Sequence, residues 1–258
     1  MTDLAANPAS KPVPAAILLI GHELLSGRTQ DVNVQTIAQF TDPLGVQVAE
    51  VRIVPDDPAE IVAALNALRG RYAYVFTTGG IGPTHDDKTA DAVAAAFGVG
   101  IDVRADARAI LEEHYKTIDL NEARLRMARI PDGATLIANP VSKAPGFQMG
   151  NVFVMAGVPS IMRGMLADVG PRLVGGAVMK TRSVRGRGLR EGDLAAPLAA
   201  LEAKYTDVTF GSYPRFAPEG GGAVTLVARS ANPIAIEMAV RDLIALARDL
   251  GVEPETLD

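Results

Sequence analysis

The chain has 258 residues, with 25 Lys+Arg against 30 Asp+Glu, three His and no Cys, for a net charge of -5. Its apolar fraction of 48% is ample for a core and argues against global disorder, and the length suits one large or two modest domains. The absence of Cys excludes disulfides, Cys-ligated zinc and a thiol nucleophile, and the negative balance argues against generic binding to nucleic acid or an anionic membrane.

In chain order, residues 1–14 carry Pro8, Pro12 and Pro14 among small side chains and read as a flexible tail. Ala15–Ile20 is wholly apolar, as in a strand buried on both faces of a parallel sheet. This run is too short for a membrane span or a signal-peptide core, so a cytoplasmic protein is expected. After a polar loop, Asp31 can cap a helix with Val34, Ile37 and Ala38 on its apolar face, ended by Pro43 and Gly45. Val46–Val54 predicts a strand, and Asp57-Pro58-Ala59-Glu60 a capping box with proline at the first helical position.

Tyr72–Thr77 predicts the next strand, running into Gly79-Gly80-Ile81-Gly82-Pro83 and a helix over Ala90–Phe97. Helical patterns cover about 105–117 and 121–129, Ala134–Ala138 and Val152–Met155 read as strands, and Pro159 opens a helix through Leu173. Strand and helix thus alternate over 15–175. The expected fold is an α/β three-layer sandwich with a mostly parallel sheet, whose ligands sit outside the carboxyl ends of the strands. From about 176 the texture changes. Strands over Ala177–Val184, Val208–Gly211 and Val224–Arg229, with helices over Asp193–Lys204 and Ile234–Leu250, predict a small, thin α+β domain over 176–258. The basic Arg185–Arg190 stretch reads as a solvated loop.

The strongest chemical signal is Thr77–Thr89, where strand, glycine-rich turn and helix start follow one another. Glycines let backbone approach a ligand, and a helix start offers free N–H groups to phosphate. Asp86 and Asp87 beside such a seat would repel a bare phosphate, so they suit a divalent cation or a ligand's amino edges; one of them could instead only cap the helix. Asp57 is accounted for as a cap, which leaves Asp56 without a structural role. Glu23 and Asn33 lie in or near the first loop, with cap and site duty both open. His22 could line the cleft, His85 could meet phosphate or solvent, and His114 is expected at the core boundary. No histidine pair has metal-ligand spacing, and no Gly-x-Ser-x-Gly is present.

The same stretches resemble the molybdopterin-binding domain family, whose members include MoaB, MogA, gephyrin's domains and the amino-terminal domain of CinA. Gly79–Thr89 is similar to the CinA-type glycine motif. Gly21-His22-Glu23-Leu24-Leu25-Ser26-Gly27 with Asp31 and Asn33 is similar to that branch's first loop. Ala144-Pro145-Gly146-Phe147, Ala156-Gly157-Val158-Pro159 and Ser212-Tyr213-Pro214 are similar to later segments.

The resemblance implies a three-layer α/β sandwich. It implies catalytic roles for Asp87 and Asp56, with Glu23 as a further ligand or base. Ligand contacts are implied at Thr78, Gly79, Gly80, Gly82, Pro83, Thr84, Asn33 and Gly157, and a divalent metal such as Mg²⁺ on Asp56, Asp86 and Asp87. MogA-like members adenylate molybdopterin, whereas CinA-like members are linked to metal-dependent cleavage of ADP-ribose-type pyrophosphates. A related domain precedes the synthase part of eukaryotic FAD synthetases. Neither CinA's deamidase domain nor a synthase part is expected here.

The leading expectation is therefore a protein that binds a phosphate-bearing pterin or nucleotide and acts as a metal-dependent pyrophosphatase of the ADP-ribose or FAD class. The alternatives are molybdopterin adenylyl transfer and non-catalytic binding. A homo-oligomer is expected, with no nucleic-acid or membrane partner.

Overall fold

The computed structural model describes residues 11–116, 120–215 and 222–257. They form two compact units, one spanning Pro12–Gly176 and one comprising Lys11 together with the described residues from Ala177 onward.

The first unit opens with β1 (Val13–Ile20), whose residues from Ala15 to Ile20 are all at most 2% exposed. Residues 1–10 of the expected tail lie outside the described residues. Its end departs from expectation, because Val13 already belongs to β1 and donates its N–H to the Gly45 carbonyl at 2.9 Å. A short α1 (His22–Leu25) leads to α2 (Asn33–Thr41), where Asp31 holds the amides of Asn33 and Val34 at 3.3 and 3.0 Å. Next come β2 (Val46–Val54) and α3 (Pro58–Arg69). Asp57 caps α3 as expected, accepting from the amides of Ala59 and Glu60.

β3 (Tyr74–Thr78) feeds the glycine turn and α4 (Thr89–Phe97), which Gly98 ends in a left-handed conformation. β4 (Ile101–Val103), α5 (Ala105–His114), α6 (Glu122–Arg126) and β5 (Arg129–Pro131) follow, with β4 and β5 pairing as a small antiparallel ribbon. β6 (Thr135–Ile137), β7 (Gly146–Met149), β8 (Val152–Met155) and α7 (Pro159–Val169) complete the unit.

The main sheet runs β2-β1-β3-β8-β7-β6. Its first four strands are parallel, whereas β7 pairs antiparallel to β8 and to β6. Alternate residues of β1 enter different cores. Ala16, Leu18 and Ile20 pack with Ile61, Leu65, Val93 and Leu111 from α3, α4 and α5. Ala15, Ile17 and Leu19 pack with Ile37, Met162 and Leu166 from α2 and α7. Period-two alternation inside an unbroken apolar run produces the three layers. Each such fully buried Leu or Ile stabilises the fold by about 1.5–3 kcal/mol. His114 departs from the expected core boundary: the buried stripe of α5 is Ala107 and Leu111, while His114 is exposed against the Tyr115 ring.

In the second unit, β9 (Lys180–Arg187), α8 (Glu191–Lys204), β10 (Thr209–Arg215), β11 (Ala223–Ser230), α9 (Pro233–Asp249) and β12 (Glu255–Leu257) build an antiparallel sheet in the order β10-β11-β9-β12. The unit has its own core around Val184, Leu226, Ile236, Ala239 and Leu243. Arg185–Arg187, expected in a loop, belong to β9, which is paired on both sides. Val184 and Gly186 face inward while the arginines alternate outward, and a Cβ on Gly186 would meet Leu189 Cδ1 at 2.3 Å. The arginines concealed this two-residue period.

Asp242 on α9 accepts hydrogen bonds from Lys204 Nζ and Tyr205 Oη, both at 2.7 Å. Lys204 first, then Tyr205, hold its carboxyl below the ordinary aspartate range. Because the folded value is the lower one, this stabilisation is complete above the unfolded value of about pH 4 and is lost as the pH falls through the folded value. Asp242→Asn should lower the melting temperature by a constant amount above about pH 5, with the gap to wild type closing below about pH 4. Thermal melts of both proteins across that range check it.

Candidate functional site

β1 leads into β2 on one side, and β3 then pairs along its other side. The chain therefore diverges past the carboxyl ends of β1 and β3, the place where open α/β sheets carry their ligands. A cleft of about 640 Å³ lies there, lined by Ile20 and Glu23 after β1, Asp56 after β2, the Gly79–Pro83 turn with Asp86 and Asp87 after β3, and Ala156–Pro159 after β8.

The glycine turn is held close to its neighbours. Gly79 donates to the Met155 carbonyl at 3.2 Å and has φ 103, and a Cβ there would lie 2.2 Å from the Ile20 carbonyl oxygen. A Cβ on Gly157 would reach Gly79 Cα at 3.2 Å, so the third wall of the cleft leaves little room for a side chain there. Thr89 joins turn to helix: its hydroxyl donates to the Gly79 carbonyl at 2.9 Å and its amide to the Gly80 carbonyl at 3.0 Å. Among the described residues the N–H groups of Gly80, Ile81 and Gly82 donate to no protein acceptor. They are three unengaged amide donors on one wall of the cleft.

The acids are arranged differently from expectation. Asp87 does not cap α4; Lys88 precedes that helix without a side-chain cap. Asp87 instead closes a turn, its Oδ2 accepting from the Thr84 amide at 2.8 Å and the Thr84 hydroxyl at 2.5 Å. Asp86 is exposed, and its carboxyl is held below the ordinary range by Thr84 first, then by its own amide, with His85 and Lys88 adding to the effect. Asp56 does have a structural role, because its Oδ2 accepts the His22 amide at 2.9 Å and so starts α1. That contact exists only because β2 lies beside β1, which local sequence does not reveal. Glu23 is exposed on α1 at the cleft. Among the described residues no three acids or histidines converge to form a metal site by themselves.

The other expected site residues divide into two groups. Gly79, Gly80, Gly82, Pro83 and Gly157 line the cleft together with Glu23, Asp56, Asp86 and Asp87. Asn33 and Thr78 stand behind it, 5% and 2% exposed, and line a narrower recess. Asn33 Nδ2 donates to the Gly157 carbonyl at 2.8 Å and lies 3.5 Å from Thr78 Oγ1, tying the loops after β1, β3 and β8 together. Thr84 serves through Asp87. His22 and His85 are exposed and line neither the cleft nor the recess.

Tyr115, Met127, Asn139 and Ser142 also line the cleft and were missed by sequence reasoning. Asn139 shapes the 139–144 loop: its Nδ2 donates to Ser142 Oγ and the Ala144 carbonyl, both at 2.7 Å, and its Oδ1 accepts the amides of Val141 and Ser142 at 3.0 and 3.1 Å. Lys143 in this loop has φ 63. The far side of the loop borders a second cavity of about 460 Å³. Asn-Pro-Val-Ser carried turn composition as the only available signal.

Backbone conformation and close approach together make Gly79 irreplaceable. Gly79→Ala should cost about 2–3 kcal/mol, since a positive φ and a clash with a carbonyl oxygen coincide. Gly27→Ala, at φ 69 with nothing within 4 Å of its Cβ position, should cost only about 1 kcal/mol. Urea unfolding of the two variants measures the difference.

Residues 16–174 match the family described as "probable molybdopterin binding domain", and residues 187–255 match "FAD synthase, middle domain". A CinA-like protein of Desulfovibrio desulfuricans is 31% identical over 245 residues, which is 91% of this chain and 56% of that protein. A CinA-like protein of Gemmatimonas aurantiaca is 36% identical over 199 residues, covering 72% and 46% respectively. The chain thus spans about half the length of these curated relatives. The crystal structure of CinA from Thermoplasma acidophilum aligns with a TM-score of 0.59 at 34% identity, covering 62% of this chain and 96% of that one. With the match extending over more than half of its residues and the fold shared with a CinA structure, the chain belongs to the molybdopterin-binding domain family, in its CinA-type branch.

Proposed function

We propose that the cleft binds a pterin or nucleotide through its phosphate or pyrophosphate, and that the bound pyrophosphate is hydrolysed, with substrates of the ADP-ribose or FAD class. The observation that carries this reading is the composition of the cleft. The glycine turn with its three unengaged amides lines it together with four carboxylates, and among the described residues no Lys, Arg or His does. Backbone N–H groups suit phosphate oxygens. The surplus of carboxylates suits an accompanying cation, because a bare pyrophosphate would otherwise be repelled.

The donor set fits such a cation only in one form. Without three converging acids among the described residues, the protein offers no cage of its own. Mg²⁺, however, is commonly held by one or two carboxylates plus substrate phosphates, and Asp86, Asp87 and Asp56 supply that share. The ion would offset charge and polarise the phosphoryl group. The chain's own residues do the rest. Gly80, Ile81 and Gly82 amides orient the pyrophosphate. Thr84 holds Asp87 in place through Oδ2. Glu23, exposed at the cleft mouth, accepts a proton from the attacking water on its carboxylate. Water adds to one phosphorus as the bridging P–O bond breaks, so ADP-ribose would give AMP and ribose 5-phosphate. The match of the second unit to an FAD synthase middle domain supports a nucleotide ligand.

The lack of a preformed metal cage among the described residues also favours a second reading, tight binding without turnover. Assays of ADP-ribose and FAD hydrolysis with Mg²⁺ and with Co²⁺ separate the two. For turnover, Asp87→Asn should reduce the rate by roughly 10²-fold or more while the melting curve stays nearly unchanged, because asparagine's oxygen can still accept from Thr84 but is a poor ligand for a hard cation. Unaltered rates in the variant would remove Asp87 from the mechanism, and binding without any turnover in the wild type would establish the carrier reading.

A further inference from the structure

Asn33 has one polar atom that the fold leaves unused. Its amide orientation is determined by the Gly157 carbonyl, which can only accept, so the group at 2.8 Å must be the donor Nδ2. Oδ1 is then the remaining atom, and it is buried with no donor in reach, on a side chain of a residue only 5% exposed. Leaving such an acceptor unpaired is costly, and native structures generally provide it with a partner.

Asn33 lines a recess of about 60 Å³ beside the main cleft. Ile20, Glu23, Thr29, Gly157 and Pro159 border both spaces, so the recess opens from the cleft. Its volume is about twice the share of one water in the liquid, enough for an amino group and the ring atom that bears it. Among the described residues no Lys, Arg or His lines the recess, and the Asp31 carboxylate at its edge is already engaged by the amides of Asn33 and Val34. Thr29 and Gln30 on its lining can donate as well as accept, but the one buried side-chain atom of the recess left without a partner is an acceptor, Asn33 Oδ1, and the exposed Glu23 carboxylate borders the same space.

We infer that this recess is a base-recognition subsite that takes the exocyclic amino group of the ligand's purine or pterin ring, with Asn33 Oδ1 as the acceptor. The inference rests on the reading of the cleft as a pterin or nucleotide site. An amino nitrogen carries two N–H donors for two acceptors. A carbonyl in the same place would set a lone pair against Oδ1 and leave that buried acceptor unpaired, which is the strong form of discrimination between ring analogues.

The test is calorimetric titration of the full chain in two arms. One compares ADP-ribose with its inosine counterpart, in which the 6-amino group is replaced by oxygen. The other compares 6-hydroxymethylpterin diphosphate with its lumazine counterpart, which lacks the 2-amino group. We expect the amino ligand to bind at least about tenfold more tightly in one arm, which also identifies the ring. Asn33→Leu should bring that ratio close to one by weakening the amino ligand alone. If Asn33→Leu fails to fold, the wild-type ratio still decides. Equal affinity of both members in every arm that binds would overturn the subsite while leaving the cleft's phosphate reading intact. Binding in neither arm would overturn both.

Discussion

The burial of β1 on both faces is the constraint from which the rest of the first unit follows. A strand with no exposed residue from Ala15 to Ile20 must have a helix layer on each side and a strand along each edge. With β2 on one edge and β3 on the other, the connections leaving their carboxyl ends diverge, and a crevice opens between them. The cleft is thus a topological consequence of one apolar hexapeptide. The loops contribute its chemistry, while the strand determines its position.

Close backbone approach then governs which residues can line that crevice. Gly79 and Gly157 almost touch, and Gly79 also lies against the end of β1. A side chain is excluded at Gly79 and cramped at Gly157, so what the turn offers a polar ligand is main chain, beside the apolar side chains of Ile81 and Pro83. Of the carboxylates, Glu23 and Asp56 stand on the connections after β1 and β2, whereas Asp86 and Asp87 follow the glycine turn on its own loop. Two of them have one oxygen engaged within the protein, Asp56 with the His22 amide and Asp87 with Thr84. Their positions are thereby fixed without consuming the whole carboxylate.

Features encoded by neighbours in sequence were legible, and those encoded by neighbours in space were not. The Asp57 cap, the β2 boundaries and the strand–glycine–helix order depend on a few consecutive residues, and each was readable from them. β7 was missed because it is four residues long, begins at Gly146 and exists by pairing with β8 through the turn at Gly150. The three-residue β4 and β5 likewise depend on each other. Asp56 looked unemployed because its partner is 34 residues away. The division of expected ligand residues into a cleft set and a buried Asn33–Thr78 set required the packing of three loops.

The 139–144 loop has a consequence for binding thermodynamics. The amide nitrogen and the carbonyl oxygen of the Asn139 side chain are both engaged inside its own loop, and Lys143 is kept in a left-handed conformation that costs of order 1–2 kcal/mol. The ordering entropy of this wall is therefore met during folding rather than on ligand association. A ligand that touches Asn139 or Ser142 meets a preorganised surface, and more of its contact energy is left to appear as affinity. The same rigidity separates the cleft from the cavity behind the loop, so that the two spaces share a wall that neither occupant can readily move.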